Sequence, residues 1–306
     1  MGGEFISTSE TPLSRTKVIS KKIYGINVYY KKDDNSSYQN YAYGLFDNIE
    51  DMTISLIGGY KYKFECTMVR DDFDTLYHEN NMYYEPFHKK SYNNYNFGIT
   101  LENKFNISTT TTTSIRFVGL QEGYSHIKGH GISTYPELDR FYGELTDYVP
   151  TKEGVANIDL KRTAFGLKFV VTPPTDGTLS VNNLYSANSY STDINPNIEI
   201  SSDDSTVETS AIYTFYDVYK CWKVDEYTQN FTIRLTWVRA NGATQTFEKI
   251  VTAKRNVMTT ININVNGSST DSSLGVKEED TSMESENVDM SFNGGDLDDN
   301  EVNPSK

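Results

Sequence analysis

Apolar residues recur at every second position in one segment after another of this 306-residue chain, and that period constrains its fold more than any other feature. Successive side chains of a strand point to opposite faces, so alternation marks a strand with one buried face. Tyr24, Ile26, Val28 and Tyr30 alternate with Gly25, Asn27 and Tyr29. Met52, Ile54 and Leu56 follow the same rule, and after Gly58-Gly59 the stretch from Tyr60 to Met68 resumes it, which predicts a hairpin. Phe97-Ile99-Leu101, Ile115-Phe117, Phe231 to Trp237, Phe247 to Ala253 and Thr259-Ile261-Ile263-Val265 extend the pattern, with an Asn241-Gly242 turn inside the third quarter. Between Val155 and Val171 the apolar set moves from even positions (Ala156, Ile158, Leu160) to odd ones (Phe165, Leu167, Phe169). That switch predicts a bulge or strand break around Arg162-Thr163-Ala164. Pro173-Pro174 ends the run.

One segment fits the helical period instead. Leu138, Phe141, Tyr142 and Leu145 fall at i, i+3, i+4 and i+7 after Pro136, which predicts a short helix. Residues 70–95 read as a polar, irregular excursion, Thr109 to Thr113 as an exposed strand or loop edge, and 182–210 as loops carrying short strands. Many short strands with hardly any helix predict an all-β protein of sandwich architecture, and the length suggests two domains. The expected division is an N-terminal leader strand over 1–16, an N-terminal β-sandwich over 17–178, a C-terminal β-sandwich over 179–267 and a tail over 268–306.

Charge separates the tail from the rest. The whole chain carries −14. Residues 268–306 hold eleven acidic residues against two lysines, a net −9, leaving −5 on the body. The tail is poor in apolar residues and rich in Ser, Asp, Asn and Glu, so it is expected to be disordered. The body carries no basic cluster, which argues against nucleic acid as a partner.

Motifs that carry chemistry are missing. There is no GxSxG elbow, P-loop, HExxH or GxGxxG, although a triad or a carboxylate pair assembled in space stays open. His126 and His130 are four apart, but Gly129 and Gly131 flank the second, so they read as loop histidines. Asp296 to Glu301 lacks the glycine and the terminal glutamate of a calcium loop. No cofactor or metal is implied, and no enzymatic activity is expected. Cys66 occupies an apolar position of an alternating run and reads as a buried small hydrophobe; a bond to Cys221 is the alternative. Tyr83-Tyr84 and Tyr92 with Tyr95 are candidate aromatic platforms for sugars.

Several segments, taken in order, resemble a known family. They are Lys22 to Tyr29 with Tyr41 to Asp47, Leu56 to Phe64, Asp139 to Gly143, Leu160 to Phe169, and Lys254 to Val265. Over about residues 10–266 the chain resembles the fimbrillin-like surface lipoproteins of Bacteroides and its relatives. The resemblance implies two transthyretin-like β-sandwich domains, export, a lipidated cysteine absent from this chain, and display at the cell surface on the outer membrane. It also implies assembly with other fimbrial subunits. A protease cuts after an N-terminal arginine, the first strand leaves, and a neighbouring subunit's terminal strand enters the groove. Arg15 is the candidate processing site, and Thr259, Ile261, Ile263 and Val265 are the candidate strand-pairing residues. The implied function is that of a fimbrial subunit or accessory protein in adhesion. The alternative is a surface lipoprotein that binds glycans or a host or bacterial ligand without polymerising.

Overall fold

The computed structural model describes residues 21–71, 76, 78–89, 97–107, 115–117, 125–127, 130–132, 137–151, 154–185, 193–265, 275–283, 288–291 and 293–295. The protein is almost entirely β, with several antiparallel sheets. A six-stranded sheet organises the N-terminal part: β1 (Lys21–Lys31), β2 (Gln39–Phe46), β4 (Lys61–Asp71), β8 (Lys104–Ile107), β12 (Asp139–Tyr148) and β14 (Lys161–Arg162), in spatial order β14-β12-β4-β1-β2-β8. Its centre is buried on both faces. Tyr24, Ile26 and Val28 of β1 join Phe64, Cys66, Met68 and Phe141 in one apolar cluster, while Ile23 joins Leu45, Val69 and Leu138 in another on the opposite face.

Two short strands, β3 (Ser55–Ile57) and β13 (Val155–Ile158), lie across the first cluster, to which Leu56, Ile57, Ala156 and Ile158 contribute. The second cluster is closed by a small sheet of β5 (His78–Glu79), β6 (Met82–Lys89), β7 (Phe97–Thr100) and β9 (Ile115–Phe117). The segment read as an irregular excursion thus contains two strands, with Tyr83 and Phe87 turned inward on β6. β10 (Ser125–Ile127) and β11 (His130–Ile132) pair as a separate ribbon and carry His126 and His130 on strands rather than in a loop.

The parity switch near Thr163 is a change of sheet. β14 ends at Arg162 and β15 (Ala164–Val171) enters a four-stranded sheet. That sheet runs β19-β15-β22-β23, with β19 (Val207–Thr214), β22 (Val257–Asn264) and β23 (Gly275–Ser282). A further sheet has β16 (Thr178–Tyr185), β17 (Asp193–Ile194), β18 (Ile198–Ser201), β20 (Thr228–Val238) and β21 (Thr244–Lys254). Side chains of both meet in one cluster, including Phe165, Phe169, Ile261 and Ile263 from the first and Leu179, Phe231, Leu235 and Trp237 from the second. The Asn241-Gly242 turn joins β20 to β21 as expected, with Gly242 at φ 82 and Ala243 N donating to Asn241 Oδ1 at 2.9 Å.

Two expectations are corrected. Asp139 to Tyr148 is a strand, not a helix, because both faces of β12 are covered and its apolar residues are therefore not confined to alternate positions. The one α-helix among the described residues is α1 (Val218–Lys223), capped by Asp217, whose Oδ1 accepts from Lys220 N at 2.9 Å. β3 and β4 flank Gly58-Gly59 but do not pair; β4 pairs with β1 and β12. Cys66 is the buried small hydrophobe expected, and it and Cys221 are free thiols in separate apolar clusters, which sets aside the alternative of a bond between them.

The segment 268–306, read from composition as unfolded, contributes three strands: β23, β24 (Val288–Ser291) and β25 (Asn293–Gly295). The remaining residues of that segment, among them Asp296 to Glu301, lie outside the described ones apart from Met283.

Candidate functional site

β22 carries the four candidate strand-pairing residues at its buried positions or just beyond its end. Thr259, Ile261 and Ile263 are fully buried and Val265 nearly so. Both edges of β22 are occupied. On one side it runs parallel to β15, with Ile261 beside Phe169; on the other it runs antiparallel to β23, with Ile261 opposite Glu278. These residues therefore form an interior strand that receives a neighbour, and the added strand comes from the acidic tail. The tail then crosses to the N-terminal part. β24 pairs antiparallel with β13, Ala156 facing Met290, and β25 runs parallel to β3, Leu56 beside Gly294. One C-terminal stretch thus completes three edges through main-chain hydrogen bonds, which read backbone rather than side-chain identity. Arg15 lies outside the described residues.

The junction between the two groups of sheets is polar, buried and tightly bonded. Arg162 donates through Nε and Nη2 to the two carboxylate oxygens of Asp139, at 2.7 and 3.0 Å. The guanidinium groups of Arg70 and Arg162 stand 5.0 and 4.7 Å from the Phe141 ring. Arg162 Nη1 also donates to Asn256 Oδ1 at 2.8 Å, and Asn256 N donates to Ala164 O at 2.9 Å. Thr163 N donates to Arg140 O at 2.8 Å and Phe215 N to Thr163 O at 3.0 Å. The chain therefore changes sheets with its backbone groups satisfied on both sides.

A second candidate lies on the face of the six-stranded sheet that carries the second cluster, where cross-strand register aligns Asn27, Glu65 and Glu144 in one row. Tyr29 donates to Glu65 Oε2 at 2.9 Å and Tyr142 to Glu144 Oε1 at 2.7 Å. Lys63 Nζ stands 2.5 Å from Glu65 Oε1 and 3.8 Å from Glu144 Oε1. Burial opposes the Lys63 ammonium, yet the two carboxylates hold its pKa above the usual lysine value. Burial first, and then the same carboxylates, push the Tyr29 and Tyr142 hydroxyls far up. The wall of this site belongs to the C-terminal part: Trp222 of α1 meets the Tyr142 ring edge-on at 5.3 Å, and Tyr219 lies 5.6 Å from Trp222.

Sequence reading missed this site. Lys63 and Glu65 stood out only as polar alternates of a strand, and Glu144 lay in the segment assigned to a helix. At the candidate aromatic platform Tyr83-Tyr84, Tyr83 is buried, its hydroxyl accepting from Lys21 Nζ at 2.6 Å, and Tyr84 is half-buried. Tyr92 and Tyr95 lie outside the described residues. Among the described residues, no three His, Cys, Asp or Glu stand together to hold a metal, and no helix is long and apolar enough to cross a membrane. No family model, curated protein or solved structure matches the chain.

Proposed function

We propose that this protein is a structural subunit, or an accessory protein, of surface fimbriae. In this reading it consists of two transthyretin-like β-sandwich domains joined by strand addition to other copies or related subunits, and it is displayed on the outer membrane through a lipid anchor. The observation that carries the proposal is the placement of β23, β24 and β25, which add to β22, β13 and β3. Contacts of that kind transfer to a second copy without new chemistry, because the edges and the added strand are the same in every chain. A strand supplied by a neighbour satisfies the same donors and acceptors as the chain's own tail.

The test uses two full-length variants. Thr260 and Glu279 face each other across β22 and β23. A Thr260→Cys chain mixed with a Glu279→Cys chain, after digestion with an Arg-specific protease, is expected to give a disulfide-linked heterodimer and higher oligomers on oxidation. If the mixture stays monomeric at high concentration, polymerisation by this chain is wrong. The protein then reads as a non-polymerising, ligand-binding surface protein.

A further inference from the structure

We propose that the row of Glu65, Glu144 and Lys63, walled by Tyr142 and Trp222, is a binding site for a neutral hydroxylated ligand, a hexose or N-acetylhexosamine unit of a glycan. The site stands between two parts of the fold, a floor from β4 and β12 and a wall from α1, and ligand sites occur preferentially at such seams. Its polar groups are mostly sheltered and still reachable: the side chains of Lys63, Glu65 and Glu144 are 22%, 18% and 10% exposed.

Two of its groups are open. Glu144 is nine-tenths buried, and its Oε1 takes the Tyr142 hydroxyl; its Oε2 accepts no hydrogen bond among the described residues. Trp222 Nε1 donates none among them either. An unfilled acceptor and an unfilled donor beside a half-buried indole match a ring that carries hydroxyl groups on its rim and C–H groups on its face.

Two carboxylates, Glu65 and Glu144, stand with two lysines, Lys63 and Lys223, so the site offers no net charge to an ion of either sign. An anion would meet two carboxylates. A cation would meet Lys63 on the floor and Lys223, whose Nζ stands 4.5 Å from the Trp222 ring and 5.0 Å from the Tyr219 ring. A neutral polyol has neither penalty. It takes hydrogen bonds from Lys63 and gives them to Glu144, while Lys223, on a flexible and exposed stem, swings aside from the indole. A site built on buried polar groups discriminates strongly in favour of ligands that complete its hydrogen bonds.

The inference is independent of strand exchange, and its test leaves polymerisation aside. The full chain is applied to an array of neutral hexose- and N-acetylhexosamine-terminated glycans, with sialylated glycans as the charged control. Saturable binding to a neutral glycan is expected. Glu144→Gln and Trp222→Ala are each expected to weaken it at least tenfold, with Glu144→Gln keeping the β signal of the parent in circular dichroism. Glu144→Gln keeps the shape of the side chain, so it decides the matter if Trp222→Ala fails to fold. No neutral binder, binding to sialylated glycans alone, or undiminished binding by Glu144→Gln overturns the proposal.

Discussion

Asp139 sits between the guanidinium groups of Arg162 and Arg70, the second at 3.8 Å, with its own side chain only 7% exposed. Removing one member of a buried ionic group leaves the others charged and desolvated, which costs about 3–5 kcal/mol. Asp139→Ala is therefore expected to lose that much stability in urea unfolding. Lys161→Ala, which removes the open Lys161–Asp225 pair at 2.6 Å, is expected to stay within about 1 kcal/mol of the parent. Buried tyrosines set the alkaline limit. Burial raises the Tyr41 hydroxyl from 10.0 to about 12, and it donates to Ser55 O at 2.7 Å. The group is neutral when folded and its pKa is raised, so its contribution is complete below the unfolded value of 10.0 and is lost as pH climbs towards about 12. Tyrosinate absorbance should then show exposed tyrosines titrating first. A second step should coincide with loss of the β signal in circular dichroism. A single step with the fold intact would contradict this account.

Individual elements differ in how far their residues reveal them. β20 and β22 declare themselves because one face of each packs on a single cluster and the other does not, so Phe231, Ile233, Leu235 and Trp237 alternate cleanly with polar residues. β12 does not, since Phe141 faces one cluster while Arg140 and Tyr142 are buried on the opposite face. Leu138 and Phe141, in different clusters, then mimic a helical stripe. α1 escapes notice because six residues are too few to display a period. Gly143 has a steric purpose on β12. A Cβ there would stand 2.3 Å from Asp159 O, so β12 passes the 159–160 segment at a distance only glycine permits. Gly143→Val is expected to lower the melting temperature by several degrees. Gly59→Ala, at φ +83 with open space around it, should cost only about 1 kcal/mol, from backbone strain.

At the scale of the whole molecule, the alternation of apolar residues predicted the all-β class, and the composition of the tail hid the strands in it. Its acidic residues obscure short strands that the rest of the chain supplies with partners, and pairing across more than two hundred residues leaves no local signal; β25 lies beside β3, Asn293 next to Ser55. Separation also hid the site on β4 and β12, whose wall at Trp222 is 78 residues from Glu144 and 159 from Lys63. If residues 266–306 are deleted, amides of β22 that point towards β23 should exchange with solvent faster, while those directed at β15 stay protected. Uniform protection along β22 would show that the tail strand adds nothing. The pairing of the last strands with β3 and β13 also sets an order in time. Chains fold as they are made, earliest part first. Here β3 and β13 have no strand partner among the described residues until β24 and β25 have left the ribosome, so these two strands of the N-terminal half wait for the tail before they can enter a sheet.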